Sequence, residues 1–445
     1  MNRKLKILSY IFLGLIIIAL AGSLVAIYVG GYLIDNKLDS VVKKVAQRVP
    51  NLNLEVEILD KSFTSRNGRI YYTYTLPKNN ILNVKTISGA ADFSINLGLF
   101  KAKAQLKKAL GTGNLDEIFK SLNLEPINYK AILNGSLWSL DLSGAFKSDS
   151  FNLPFSDGLC HIGENSVYFK LLSTTRALFE FSSAGFSCKS DILYNQKSAF
   201  DLLLKNLAFS TEPQIVDNKI FIPYLKVGLK EAHAEASTLY LIGFKPQERV
   251  KDPSIREAFY LKDLGLTFKL DKEDQDKRRE LYIDGVGNLS FAFPYVKDNK
   301  SEPLYEMQNI KYESVLGRFD FKSIINSLKK GSFELSELVS FVSKTPFYRL
   351  ENFSYEHKGE LFKVKGEALA NIIKDRIDGE SISFDFDVTG GQYLIEDIAG
   401  PDYNDALKQQ VMRGAIDFDG KSYHSNLKFS KGSFSLNGMP LTYSE

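Results

Sequence analysis

Three regimes of hydrophobic patterning follow one another along the chain. From Ile7 to Ile34 an unbroken apolar stretch of Ile, Leu, Val, Ala, Phe, Tyr, Gly and Ser carries no charge. A helix rises about 1.5 Å per residue and roughly 20 residues cross the hydrocarbon core of a bilayer, so this stretch is long enough to span one. From Asp35 to Arg48, Leu38, Val41, Val42 and Val45 recur at helical spacing between charges. That pattern predicts an amphipathic helix over 35–49, stopped by Pro50. Beyond Pro50 the period drops to two. Ile70, Tyr72 and Tyr74 share one face of a predicted strand, as do Phe93, Ile95 and Leu97 of another.

Similar alternation marks Leu137 to Leu142, Ser237 to Phe244, Leu281 to Phe293, Ser381 to Val388 and Asn426 to Leu436. The punctuation is that of antiparallel hairpins: Asn67-Gly68, Asn134-Gly135, Asp157-Gly158, Gly390-Gly391, Asp419-Gly420 and Asn437-Gly438. Helical interruptions are expected at Leu99 to Asn123, Phe321 to Ser343 and Tyr403 to Arg413. The charge-rich lapse from Lys245 to Asp263 divides a β-rich region at 50–245 from a second at 264–445 that carries a helical insert near 321–343. A second lapse runs from Lys297 to Glu302, and no strict repeat supports a propeller or solenoid. The expected class is mainly β with a few helices: a single transmembrane helix, then an extended, mostly antiparallel sheet.

Ala19 and Ala21 before Gly22 offer a cleavage site, which makes a removed secretory signal the competing reading of the apolar run. The run continues through Leu24, Val25, Ile27, Tyr28 and Val29, where a cleaved signal would have turned polar, so an uncleaved signal anchor is the preferred reading. Arg3, Lys4 and Lys6 precede it without acidic neighbours, and mixed charges follow. The positive-inside rule then leaves residues 1–34 as cytoplasmic tip and anchor, with the rest in the periplasm as a single-pass ectodomain. Removing those three basic residues leaves 53 basic against 53 acidic. A neutral ectodomain without a polybasic cluster lacks the field that gathers nucleic acid, which is excluded as a partner. The 44% hydrophobic and 24% charged content excludes a disordered chain.

Cys160 and Cys188 are the only cysteines, and an exported pair favours a disulfide. Between them, Ser166 to Leu172 and Ala177 to Ser182 read as strands separated by the turn-prone Ser173 to Arg176, a hairpin that would bring the cysteines together. Two unpaired buried thiols are the alternative. Motifs for zinc hydrolysis, thiol redox chemistry, serine hydrolysis and nucleotide binding are absent, and Gly285-Val286-Gly287 lacks a third glycine and precedes a strand. No cofactor is implied.

Two constellations carry some chemistry. Glu231, His233 and Glu235 would share one side of a strand and could ligate a divalent cation, although alternate polar residues also describe a solvent-facing strand. Asp385 and Asp387 invite an acid–base reading, as do Asp417 and Asp419, yet Phe384 and Phe386 would then point to the core and leave the carboxylates on an ordinary polar face. His161, His233, His357 and His424 are scattered, so no catalytic set is assigned. The aromatic content suits either a closed core or an open sheet that shelters acyl chains.

Both chain ends resemble the YdgA-like family of bacterial inner-membrane-anchored proteins of unknown function. The resemblance rests on the anchor with Gly30 and Gly31, the segment from Asp60 to Pro77 (DKSFTSRNGRIYYTYTLP), and Leu427 to Leu441 (LKFSKGSFSLNGMPL). In style it extends to AsmA-like envelope proteins, which implies a tethered β-rich body in lipid handling. The expected function is a non-enzymatic periplasmic protein of the cell envelope whose partners are the inner membrane and either lipid or an apolar partner along an exposed sheet. The alternatives are an envelope scaffold or assembly factor that binds another protein, and a hydrolase whose site is assembled from distant residues.

Overall fold

The computed structural model describes residues 27–440 apart from 45, 48, 77–83, 99–100, 122–124, 137–140, 156–157, 191–199, 217–218, 237–256, 272–278, 293–304, 320–341, 374–375 and 401–403. It divides into two compact units, Met1–Ser190 with Pro213–Ile220, and Asp191–Glu212 with Phe221–Glu445. Antiparallel sheet dominates both.

The first unit is an up-and-down meander from its first strand to its sixth, after which a short hairpin is inserted before the meander resumes. Its strands are β1 (Leu52–Lys61), β2 (Ser65–Thr75), β3 (Thr86–Leu97), β4 (Lys101–Lys108), β5 (Tyr129–Ser136), β6 (Leu142–Ser148), β7 (Phe151–Phe155), β8 (Gly158–Ile162), β9 (Asn165–Leu171) and β10 (Ala177–Ser190). β6 pairs with β9 and β7 with β8, and β10 pairs with both β9 and β8. The predicted hairpin is therefore present, Cys160 lies directly opposite Cys188, and the two form a disulfide.

Helix α1 (27–44) packs on this sheet. Ile27 and Val42 are buried, while Tyr28, Tyr32 and Val41 face outward. Gly30 lies against Leu97, and a side chain at Gly31 would strike the Arg66 guanidinium, so the glycines bring the helix close. Arg66 then donates from Nε and Nη2 to Asp35 at 2.7 and 3.1 Å, and from Nη1 to the Ser62 and Ser65 carbonyls. Helix α2 (Leu115–Ser121) buries Ile118 and Phe119. Asn114 ties its start to β3 by accepting from the Ser88 backbone N–H at 2.7 Å and donating to the Thr86 carbonyl at 2.9 Å. Gly113 reaches that position at φ +73°, where a Cβ would collide with the Ser88 carbonyl. Lys108 and Asp116 form a buried ion pair beneath the helix.

The second unit is also a meander. Its main strands are β11 (Phe200–Thr211), β14 (Tyr224–Ala236), β15 (Glu257–Leu270), β16 (Arg279–Ala292), β17 (Tyr305–Phe319), β18 (Val342–His357), β19 (Glu360–Ile373) and β20 (Arg376–Gly391). The short β12 (Gln214–Val216) and β13 (Lys219–Phe221) form a separate ribbon that lies between β11 and β14 in the chain but, through Ile220, belongs to the first unit. After β20 come helices α3 (Gln392–Ala399) and α4 (Asn404–Met412), then β21 (Asp417–Phe418), β22 (Ser422–Ser430), β23 (Ser433–Leu436) and β24 (Met439–Pro440). β22 returns to pair with β20. Asn206, Asp263 and Asn309 adopt positive φ inside β11, β15 and β17, and register shifts adjoin the last two. Such bulges sharpen the twist of a long sheet.

Small residues meet aromatic rings across several strand pairs. Gly68 faces Phe93, Gly89 faces Tyr72, Gly144 faces Phe169 and Gly317 faces Phe347. Each ring occupies the space a Cβ would need, so the aromatic covers the backbone that glycine exposes.

Several expectations need correction. Lys101–Lys108 is strand and not helix, because Ala102, Ala104 and Leu106 alternate with lysine at period two; the helix of that segment is confined to Leu115–Ser121. The lapse from Lys245 to Asp263 does not separate two bodies: β14 and β15 pair across it, and the units part instead at Ser190 and Asp191. Helix α3 was not expected. The helix from Asn404 to Met412 agrees with the patterning. All but the end of the insert near 321–343, the strand at 237–244, most of 137–142 and the lapse at 297–302 fall outside the described residues, as does 7–26 of the apolar run; the last two residues of the insert, Val342 and Ser343, open strand β18. No helix among the described residues is long and apolar enough to cross a membrane. α1 continues without a break through Ile34 and Asp35.

Candidate functional site

The feature that organises both sheets is the separation of apolar and polar rows on opposite faces. In the first unit, Ile58, Gly68, Phe93, Leu106, Ala131, Phe146, Val167 and Phe181 stand opposite one another on successive strands. Phe93 is buried, whereas Phe146 and the neighbouring Leu133 each remain 39% exposed. In the second unit Ala368, Phe384, Phe429 and Phe434 make one row, and Gly366, Phe386, Leu427 and Leu436 the next. Phe429 and Phe434 rings lie 4.5 Å apart and Phe384 stacks on Phe429 at 5.4 Å. Phe434 is still 41% exposed. Among the described residues, the large side chains that are fully buried are Ile27 and Leu394, both on helices laid against a sheet. Most strand aromatics are only partly covered.

One end of the second aromatic face is closed by α3. Leu394 is buried, Ile395 sits over Gly390, and the Leu394 backbone N–H donates to Glu360 Oε2 at 2.8 Å. Tyr423 donates to Glu396 at 3.1 Å. Asp397 receives Lys358 at 2.7 Å and lies 3.1 Å from His357 Nε2, whose other nitrogen faces the Glu306 carbonyl at 2.8 Å. The Lys358 ammonium, opposed by burial and aided by His357, holds the Asp397 carboxyl below its ordinary value. His357 stacks on Tyr305, and Tyr305 shares a hydrogen bond with Tyr355 at 3.0 Å. Burial pushes both phenols up. This network fastens the helix through its polar side.

The residues singled out by sequence do not converge. Glu231 pairs with Lys205 at 2.9 Å, and that ammonium lowers its carboxyl. His233 stacks on Tyr260 with centroids 4.4 Å apart, above buried Ala232 and Ala234 on the opposite side. Glu235 pairs through its backbone with Asp201 and Ala258. Among the described residues no group of three His, Cys, Asp or Glu side chains is spaced to hold a metal ion. Asp385 and Asp387 both receive Asn426 Nδ2, at 2.6 and 3.0 Å, and each faces a lysine, Lys428 at 3.2 Å and Lys365 at 3.5 Å. Asn426 foremost, then Lys428, lowers the Asp385 carboxyl, which suits a structural anion and not a proton donor.

A hydroxyl–imidazole–carboxylate chain does occur: Thr389 Oγ1 lies 3.2 Å from His424 Nδ1, and His424 Nε2 lies 3.2 Å from Asp419. Backbone N–H groups of Ser422 and Lys421 draw the Asp419 carboxyl down to about 2. Thr389 is paired on both sides, with Lys363 and His424, so the N–H groups beside it serve sheet ladders and do not gather toward an oxyanion. The chain reads as an exposed cross-strand polar contact. Sequence reasoning missed it because Thr389 meets His424 only through β20–β22 register. Comparison with protein-family models, curated proteins and solved structures gave no match to this chain.

Proposed function

We propose that the chain is a membrane-tethered periplasmic protein of the cell envelope that holds lipid, or a similarly apolar partner, along its half-exposed aromatic sheet faces without catalysing a reaction. The observation that carries the reading is the run of apolar rows whose aromatic and aliphatic side chains stay partly open to solvent. Leaving such surface exposed is unfavourable by about 25 cal/mol per Å², so an acyl chain laid along it is stabilised by the same amount. The part of the uncharged run that precedes α1, residues 7–26, is long enough to supply the tether, and α1 carries the chain from it onto the first sheet. The resemblance of both ends to YdgA-like proteins belongs to the same proposal.

The test is to extract the full chain in mild detergent, exchange it into a chemically distinct detergent, and quantify retained phospholipid by mass spectrometry. Retained lipid that falls several-fold in a Phe384→Asp, Phe429→Asp variant supports the reading. A lipid-free protein, with another envelope protein retained in its place, transfers the function to a scaffold or assembly factor.

A further inference from the structure

The polar face of the first sheet carries a feature independent of the apolar rows behind it. On β4, β5 and β6, Lys107 lies directly opposite Lys130, and Lys130 directly opposite Lys147. Directly opposed residues hold their Cβ atoms about 4.5–5.5 Å apart, and like charges so placed destabilise a sheet. All three are exposed. Lys101 and Lys103 share the same face of β4, and between them these three strands place no carboxylate on that face. Asp92, opposite Lys107 on β3, is already held by Arg69 at 2.7 Å. Beyond Ile34 the chain has equal numbers of acidic and basic residues, so five lysines without an acid is a local segregation of charge.

The same surface is concave. A groove of about 540 Å³ is bordered, among others, by Arg69, Asp92, Ser94, Gln105, Lys107 and Lys130. Two ammonium groups, a hydroxyl and a side-chain amide thus border one depression, the donor types that a phosphate group takes, and the Asp92 carboxylate beside them is paired with Arg69. Register protects the arrangement, since a one-residue slip would carry the lysines to the side of Phe93, Leu106 and Phe146.

We propose that the lysine row Lys107–Lys130–Lys147 and the groove beside it form a binding site for phosphate groups. The row neutralises the anion, and Ser94 and Gln105 orient it. A lipid headgroup and a soluble phosphate share this chemistry, and the experiment separates them. The full chain, reconstituted in phosphatidylcholine nanodiscs, is titrated with inorganic pyrophosphate by calorimetry, and its capture is measured on vesicles of phosphatidylcholine with and without phosphatidylglycerol. Binding should weaken at least tenfold in K107Q/K130Q/K147Q and less than twofold in K230Q/K363Q/K421Q, which removes equal charge from the second unit; thermal melts confirm that both variants fold. Binding of pyrophosphate identifies a soluble phosphate ligand, and capture only by the anionic vesicles a headgroup. Failure of both probes, or equal loss in the two triple variants, overturns the site.

Discussion

Replacing Asp35 by Ala tests whether α1 is part of the folded body or a loose stalk. The Arg66 side chain is 9% exposed and Asp35 28%. Removing one partner of a buried ion pair costs about 3–5 kcal/mol, chiefly because the other charge is left without compensation. Arg66 keeps the Ser62 and Ser65 carbonyls, and water reaches the Asp35 end, so a loss of roughly 2–3 kcal/mol is expected for D35A. For a unit of this size that lowers Tm by roughly 4–10 °C. The Arg66 guanidinium, more than burial opposes it, holds the Asp35 carboxyl below its ordinary value. A depressed carboxyl stabilises fully above its unfolded value near about pH 4 and loses that contribution as pH falls through the folded value, so the loss in D35A should shrink on acidification. Urea unfolding of the full chain in detergent, with hydrogen exchange of the amides of 27–44, measures both. A D35A change under about 0.5 kcal/mol, or helix amides that exchange freely in the parent, would refute the reasoning.

The disulfide closes a loop between positions 28 apart, so C160S/C188S should lose about 3.5 kcal/mol, read from urea midpoints with and without reductant; an unchanged midpoint speaks against a formed bond. D397N removes the carboxylate that fastens α3. Because Lys358 first, and then His357, keep the Asp397 carboxyl low, the parent should lose stability more steeply than D397N as pH falls below about 4, and parallel curves would contradict the latch. K130Q relieves two opposed like-charge pairs and should raise stability by about 0.5–1.5 kcal/mol in low salt, a gain that vanishes near about 1 M salt. A K130Q protein less stable than the parent would show that the lysine is structurally held.

Local periodicity carried most of the architecture. The hairpin from Asn165 to Ser190 could be read with its turn because alternation, a polar turn and the cysteine positions agree. Lys101–Lys108 misled because alanine, leucine and lysine favour helices intrinsically, while the partners on β3 and β5 that impose strand are distant in sequence. Gly390-Gly391 reads as hairpin punctuation, yet it ends β20 and starts α3, whose helical state depends on burying Leu394 and on Glu360 accepting its N–H. The lysine row, the Asp35–Arg66 pair and the Thr389–His424 contact were invisible for one shared reason. Each depends on register or docking between segments, which no single stretch of chain encodes.

Phe146 and Lys147 are adjacent on β6 and project to opposite faces, one in the apolar row and the other in the lysine row. Placing a photo-crosslinking amino acid at each position in turn, in cells, and analysing the adducts by mass spectrometry puts the central claim to its most direct trial. The account predicts acyl-chain adducts at position 146 and no acyl-chain adducts at 147, where only a headgroup or other phosphate would be reached; equal acyl-chain labelling at both, or adducts only with water and protein at 146, would contradict it.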